Sequence, residues 1–198
     1  ISTDGGISLF SPDENKFENF QETPFSESIK ENFVGDILVS ERSGNVWFKT
    51  KNYSGINCLE RWYNEEFQMY EYQFNYLESD VMDEYSLASN DISAFIDDKA
   101  GNIWIGTWGG GVNKYDPTTG RYSRYLNDPD DPRSISSNRI QSLFHDKTGQ
   151  IWLGSYDQGL NRFLGNGEFE RVQKKSNEDH SLSHNRIWDI MDNNDNSL

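Results

Sequence analysis

A single cysteine, Cys58, occurs in the 198 residues. It excludes an intramolecular disulfide and leaves no cysteine-based zinc or redox motif, and the count is neutral about compartment. Basic residues are scarce: 18 Lys and Arg stand against 33 Asp and Glu, a net charge of −15. That balance opposes a phosphate backbone or an anionic membrane surface, so neither nucleic acid nor direct membrane contact is expected. No apolar run approaches the length of a membrane span and no secretory leader is read here; with the chain expected to start mid-strand, those absences describe the fragment and not its parent. Amphipathic-helix spacing is missing too, because Gly, Asn and Asp interrupt every such attempt. The three histidines, His145, His180 and His184, sit in turns or loops without a neighbouring cysteine, and no G-x-S-x-G is present. The sequence therefore offers no nucleophile with its base and no cofactor motif. Carboxylates are abundant, which leaves a glycosidase-like pair open without pointing to one.

What the chain does contain is a repeat. Gly44–Thr50 (GNVWFKT), Gly101–Thr107 (GNIWIGT) and Gly149–Ser155 (GQIWLGS) are near copies. Trp104 and Trp152 are 48 residues apart, while Trp47 and Trp104 are 57 apart, the excess fitting an insertion near Arg61–Asp80. A second marker, SLASN ending at Asn90, recurs as SISSN ending at Asn138 and SLSHN ending at Asn185, at steps of 48 and 47. Ile1–Ile7 aligns with Ile105–Gly111 and Asp192–Leu198 with Asp97–Ile103, so the chain is expected to begin and end within equivalent strands of a longer polypeptide.

The unit Arg139–Val172 reads as four strands: Arg139–Phe144, Ile151–Ser155, Gly159–Phe163 and Glu168–Val172, with a glycine turn at His145–Gln150. Four-stranded repeats of about 40 to 50 residues with a Trp read as blades of a β-propeller. Trp47, Trp104, Trp152, Ile103, Ile105, Ile151 and Leu153 form the expected core. An aromatic content of 14% at a mean hydropathy of −0.86 fits sheet-to-sheet packing under polar loops. A sandwich or jelly roll is the rival, but it would not require the same Trp hairpin in every unit. The expected fold is all-β, a β-propeller segment of about four four-stranded antiparallel blades, the first and last split by the chain ends. Its single segment 1–198 divides into a partial blade 1–33, blades 34–88, 89–136 and 137–183, and a partial blade 184–198.

In a propeller, the loops from each fourth strand to the next first strand share one face with the loops from second to third strands. Here those loops carry Asn90, Asp91, Trp108, Asn138, Arg139, Tyr156, Asp157, Asn185, Arg186 and Trp188. Aromatic faces with planar amide, carboxylate and guanidinium groups suit a sugar ring, stacking on its C–H face and bonding its hydroxyls. Rim packing and a blade-start hydrogen-bond network are the alternatives. The acidic turns Asp97–Asn102, Asp146–Gly149 and Asp192–Asn196 lack the twelfth-position Glu of a calcium loop, so they read as turns that cap their own backbone and not as metal sites. Trp62, Tyr63, Phe67, Tyr70, Tyr72, Phe74 and Tyr76 mark the insertion as an elongated outer strand or a contact surface.

The pattern N-x-I-x-x-(I/L)-x-x-D-x-x-G-x-(I/L)-W-(I/L)-G-T-x-x-G-G resembles the two-component regulator propeller repeat. Asn90–Tyr125 matches nearly throughout, Asn138–Phe169 closely, and Asp36–Tyr70 loosely, with Lys49 in place of the Gly. Ile1–Phe20 and Asn185–Leu198 match as partial units. The resemblance implies the periplasmic sensor region of a hybrid two-component histidine kinase, with the kinase elsewhere in the parent, and it names no ligand. It also implies rings of seven blades, completed here by partner chains in a homodimer, by the remainder of the parent, or by the chain's own ends. An oligosaccharide ligand is the expectation; a protein-interaction scaffold and a propeller glycosidase or lyase are the alternatives.

Overall fold

Alternating apolar residues bounded by Asn, Asp and Gly turns give short antiparallel strands throughout. The computed structural model describes residues 1–12, 15–23, 28–52, 54–176 and 178–193. Among them no helix occurs, and thus none long and apolar enough to cross a membrane. The chain forms two compact units, Ile1–Glu78 and Ser79–Leu198.

In the first unit, β1 (Ser2–Thr3), β2 (Gly6–Ser11) and β3 (Lys16–Phe20) form a three-stranded meander, and β4 (Val34–Val39), β5 (Val46–Thr50), β6 (Ile56–Asn64) and β7 (Met69–Leu77) a four-stranded one. Ile7, Ile29, Val34, Val46, Phe48 and Leu59 make its core. The second unit holds two complete meanders. One comprises β8 (Ile92–Asp97), β9 (Ile103–Thr107), β10 (Val112–Asp116) and β11 (Arg121–Tyr125). The other comprises β12 (Ile140–His145), β13 (Ile151–Ser155), β14 (Leu160–Gly165) and β15 (Glu168–Val172). Trp104, Val112, Ile135, Ile140, Leu143, Ile151, Leu153 and Phe169 form the core between these two blades. The all-β blade reading is therefore correct, with three full blades and one of three strands among the described residues. The tail residues 194–198, aligned above with Lys99–Ile103, lie outside the described residues, and the described residues after Val172 contribute no strand.

The glycine of the W-x-G-T motif has a packing reason. A Cβ on Gly106 would stand 2.7 Å from Cγ2 of Ile140, the first residue of β12, and one on Gly154 would stand 2.6 Å from Cγ2 of Ile187. Each second strand thus provides a seat for the isoleucine that opens the next repeat. Where Lys49 replaces this glycine, its ammonium pairs with Asp36 at 2.6 Å. Each full blade also bulges just after the first residue of its inner strand, between Val34 and Ile37, Ile92 and Ala94, and Ile140 and Ser142.

The interblade loops are closed by the second sequence marker. The Asn90 side-chain oxygen accepts from Ser79 N at 2.6 Å, that of Asn138 from Asn127 N at 2.7 Å, and that of Asn185 from Lys174 N at 2.6 Å. The structure adds a further copy, Ser28–Asn32, in which Asn32 accepts from Glu22 N at 2.6 Å. The outer strand then braces each loop. Arg124 Nε donates to Ser86 O at 2.8 Å, Arg171 Nε to Ser134 O at 2.8 Å, and the Tyr76 hydroxyl to Ser28 O.

Two sequence expectations change in detail. Trp152 is half-buried instead of core: Trp104 is covered by Phe163 from the neighbouring blade at 4.8 Å, whereas Trp152 has the Arg162 guanidinium 5.9 Å from its ring and, among the described residues, no strand following β15. The aromatic insertion is an elongated hairpin, β6 and β7 each running nine residues. Its exposed end, with Phe10, Arg61, Tyr63, Met69, Tyr70 and Tyr72, borders a cleft of about 740 Å³. Cys58 is buried on β6, and burial first, then the charge of Glu60, pushes its thiol well above the ordinary range, which makes it a packing residue.

Candidate functional site

At one end of the second unit, two loop types converge through backbone hydrogen bonds. Trp108 N donates to Asp91 O at 2.9 Å, and Tyr156 N to Arg139 O at 3.0 Å. Gly109 N and Gly111 N both donate to Asn138 O at 3.0 Å, while Gly159 N donates to Asn185 O at 2.7 Å. The loop between second and third strands is thereby sewn to the start of its own blade and of the next one. This is how residues far apart in sequence come to share a surface.

That surface is a ladder of alternating rings and guanidinium groups. Trp108 meets Tyr156 edge-to-face at 4.7 Å. The Arg139 guanidinium lies 5.1 Å from the Tyr156 ring and 5.9 Å from Trp108. Arg186 covers Tyr156 at 4.0 Å and stands 5.5 Å from Trp188. Trp108 is 37% exposed and Trp188 65%, so the ladder presents aromatic faces to solvent. Arg139 is paired to Asp157 Oδ2. The other oxygen, Asp157 Oδ1, is sealed from solvent and accepts no hydrogen bond among the described residues. A buried acceptor without a donor is costly.

Of the ten residues singled out by sequence, six therefore assemble: Trp108, Arg139, Tyr156, Asp157, Arg186 and Trp188. Asn90, Asn138 and Asn185 lie beneath them with their side-chain oxygens taken by loop N–H groups, as described above. Asp91 joins through its backbone, its carbonyl accepting from Trp108 N and its own N–H donating to Ser89 Oγ at 3.2 Å. His184 is outside the sequence-derived set, yet its Nδ1 accepts from Arg186 N at 2.9 Å and so helps set the course of the Arg186 backbone. It occupies the place held by Ser89 and Ser137 in the other markers, which accept from the Asp91 and Arg139 N–H groups.

The acidic turns have a different role. Asp98 Oδ2 accepts from Trp104 Nε1 at 3.0 Å and Asp146 Oδ2 from Trp152 Nε1 at 2.9 Å. Asp146 Oδ1 accepts from Thr148 N and Gln150 N, and Asp98 Oδ1 from Ala100 N and Asn102 N. Both carboxylates are thus occupied by their own hairpins and their own Trp. Among the described residues no group of three or more His, Cys, Asp or Glu is placed to hold a metal. Part of the third acidic turn, Asn194–Asn196, lies outside the described residues.

These bonds make stability depend on pH. Desolvation raises the Asp146 pKa, but the hydrogen bonds from Thr148, Trp152 and Gln150 outweigh it and bring the value from 3.8 to about 2. A carboxyl whose folded pKa is depressed contributes stability above its unfolded value and loses it as pH falls through the folded one. Unfolding followed by urea titration should therefore show stability dropping between about pH 4 and pH 2, and Asp146→Asn should flatten that drop. An unchanged slope in the variant would assign the acid sensitivity to other carboxylates.

The model of the two component regulator propeller family matches residues 86–109 and 134–157. No curated protein sequence matches the chain. Among solved structures, the extracellular domain of BT3049, assigned to a hybrid two component system of B. thetaiotaomicron, is 22% identical with a TM-score of 0.63, the match covering 86% of this chain and 22% of that one. The extracellular domain of BT4673 from the same organism, also assigned to such a system, is 19% identical with a TM-score of 0.65, over 98% of this chain and 23% of that one. PorZ, a surface component of the type-IX secretion system of Porphyromonas gingivalis, is 13% identical with a TM-score of 0.62, over 96% of this chain and 28% of that one. The chain thus spans about a quarter of the length of these structures, and the likeness establishes the blade fold. Residues 86–109 and 134–157 are thus similar to two-component regulator propeller repeats.

Proposed function

We propose that this chain is a ligand-sensing propeller segment of the periplasmic region of a hybrid two-component signalling protein, and that the ladder takes an oligosaccharide. The repeats of that family and the fold shared with extracellular domains assigned to such systems support the sensor reading. The observation that carries the ligand reading is the ladder itself: exposed rings at Trp108 and Trp188 with the half-buried Tyr156 between them. Ring faces stack on the C–H face of a pyranose, and a carboxylate oxygen accepts from a hydroxyl. No catalytic role is assigned to this segment; the kinase chemistry belongs to the rest of the parent.

Signalling follows from linkage. A saccharide shifts the sensor only by binding one of two arrangements better than the other, here two arrangements of a sensor homodimer. The blade segment supplies the contacts whose strength differs between them, with the remainder of the parent propeller completing the assembly.

Calorimetric titration with a panel of neutral and acidic oligosaccharides tests this. Saturable binding of at least one member is expected, with Trp108→Ala and Tyr156→Ala each weakening it by about tenfold. Binding that ignores both substitutions, or an entire panel that fails to bind, would leave a protein-interaction scaffold as the reading.

A further inference from the structure

We infer that the outer strand β7 is the surface on which two copies of this chain pair, edge to edge and antiparallel, about a two-fold axis at Gln73. The inference rests on the homodimer of the reading above, whose interface it names, and makes no use of the saccharide. β7 ends the order β4-β5-β6-β7, so one side of its backbone faces out of the sheet. Among the described residues no backbone hydrogen bond from outside the sheet reaches residues 69–75. Such an edge is a template for another strand, and proteins blunt it with short length, Lys, Pro, bulges or a covering loop. The other outer strands are blunted in this way. β3, β11 and β15 have five residues each and all carry Lys or Arg, and Phe169 N on β15 donates to Arg133 O at 2.7 Å. β7 runs nine residues without Lys, Arg or Pro, and it pairs with β6 in unbroken register from Leu77 opposite Ile56 to Met69 opposite Asn64.

An open edge does not by itself name its occupant. The order of side chains along β7 does, because the strand complements itself. Laid antiparallel on a second copy with Gln73 opposite Gln73, Met69 meets Leu77, Tyr70 meets Tyr76, Glu71 meets Asn75 and Tyr72 meets Phe74. Apolar thus faces apolar, ring faces ring, and the one charged side chain of the strand faces an amide. A two-fold axis perpendicular to the sheet keeps both members of every pair on the same face. The rings share the face that meets Phe20, which lies 4.9 Å from Tyr72 and 5.6 Å from Phe74, while Glu71, Gln73 and Asn75 take the other. Aromatic pairs across strands favour such a ladder, and like charges directly opposite would oppose it. The register is pinned as well. An axis at Tyr72 would set Met69 against Asn75 and leave Tyr76 and Leu77 opposite the hairpin turn, and an axis at Phe74 would set Glu71 against Leu77. A net charge of −15 works against self-association, and β7 brings the two copies together along a stretch with one charge in nine residues. An extended segment of another protein would require none of this symmetry.

Sedimentation equilibrium of the whole chain across a range of concentrations tests the pairing. A monomer–dimer equilibrium is expected. Asn75→Glu sets a carboxylate opposite the partner's Glu71, twice across the axis, and should weaken the dimer by about tenfold. Glu71→Lys alone places an ammonium opposite an amide and should leave the dimer within about threefold of the wild type. Glu71→Lys combined with Asn75→Glu sets opposite charges face to face and should bring dimerisation back to at least the wild-type strength. Circular dichroism and thermal unfolding of each variant check that the sheet is retained. A chain that stays monomeric at every concentration overturns the inference, with β7 then an edge for an extended segment of another protein and the saccharide reading untouched. A dimer indifferent to Asn75→Glu is built on another surface. A dimer that Asn75→Glu breaks and the double variant fails to restore is not held by this register. Either of these last two results overturns the pairing at β7 and leaves the homodimer reading standing.

Discussion

Trp104→Ala is expected to cost about 3–5 kcal/mol of stability, the range for removing a large buried ring. Trp104 is 1% exposed and joins two blades. It stacks on Tyr125 of its own sheet at 5.7 Å and meets Phe163 of the next edge-to-face at 4.8 Å. Tyr125 and Phe163 both contact Phe169, so the aromatic cluster is continuous across the interblade space. The substitution also strands the Asp98 carboxylate, which accepts from the indole N–H. Asp98 has a lowered pKa because, although desolvation raises it, the bonds from Trp104 and Asn102 prevail. Urea unfolding measures the loss, and Trp152→Ala is the internal comparison. That half-buried ring should cost less, about 2 kcal/mol. Equal losses at the two positions would refute the distinction between a ring enclosed by two sheets and one covered on a single side.

Much of the blade architecture is legible in the sequence because it is written in local periodicity. The Trp hairpin, the strand alternation and the glycine turns lie within a few residues of one another, and Ile151–Ser155 and Glu168–Val172 form strands with the expected bounds. The site is legible only as a set of loops. Its ladder depends on which side chains meet after Gly109 N and Gly159 N have tied separate repeats together, and no spacing along the chain encodes that encounter. The asparagines show the same limit from the other side. A side-chain amide recurring before each blade is consistent with a ring of ligand contacts, and only the loop N–H groups arriving at its oxygen reveal a closure. The copy at Ser28–Asn32 is hidden because Lys30 and Glu31 replace the small residues found in the markers ending at Asn90 and Asn138, although the serine, the apolar second position and the asparagine are all in place. The aromatic insertion is ambiguous in sequence for a similar reason: strand alternation continues through Ile56–Leu77, but the length of a hairpin beyond its sheet is set by cross-strand pairing.

Gly159→Ala should destabilise the second unit by roughly 2–5 kcal/mol, combining left-handed backbone strain with an overpacked contact. Gly159 has φ +85°, and a Cβ there would stand 2.4 Å from the carbonyl oxygen of Val172. A backbone atom cannot rotate aside as a side chain can, so the loop itself has to shift. That shift reaches three anchors at once: Gly159 O accepts from Ser155 N at 2.9 Å and Ser155 Oγ at 2.8 Å, and Gly159 N donates to Asn185 O at 2.7 Å. The last of these bonds ties down the segment that leads directly into Arg186 and Trp188, so stability and ladder geometry are coupled through one glycine. Gly120→Ala separates the two causes, because Gly120 has φ +69° and a Cβ there would meet nothing within 4 Å. It should show the backbone strain alone, about 1–2 kcal/mol, and leave saccharide binding untouched. The Gly159 variant should lose binding in the folded protein as well, measured by titration at a temperature well below its unfolding transition. Full-strength binding in that variant would mean that Arg186 and Trp188 keep their places without the Gly159–Asn185 bond, and that the ladder is held by its own stacking.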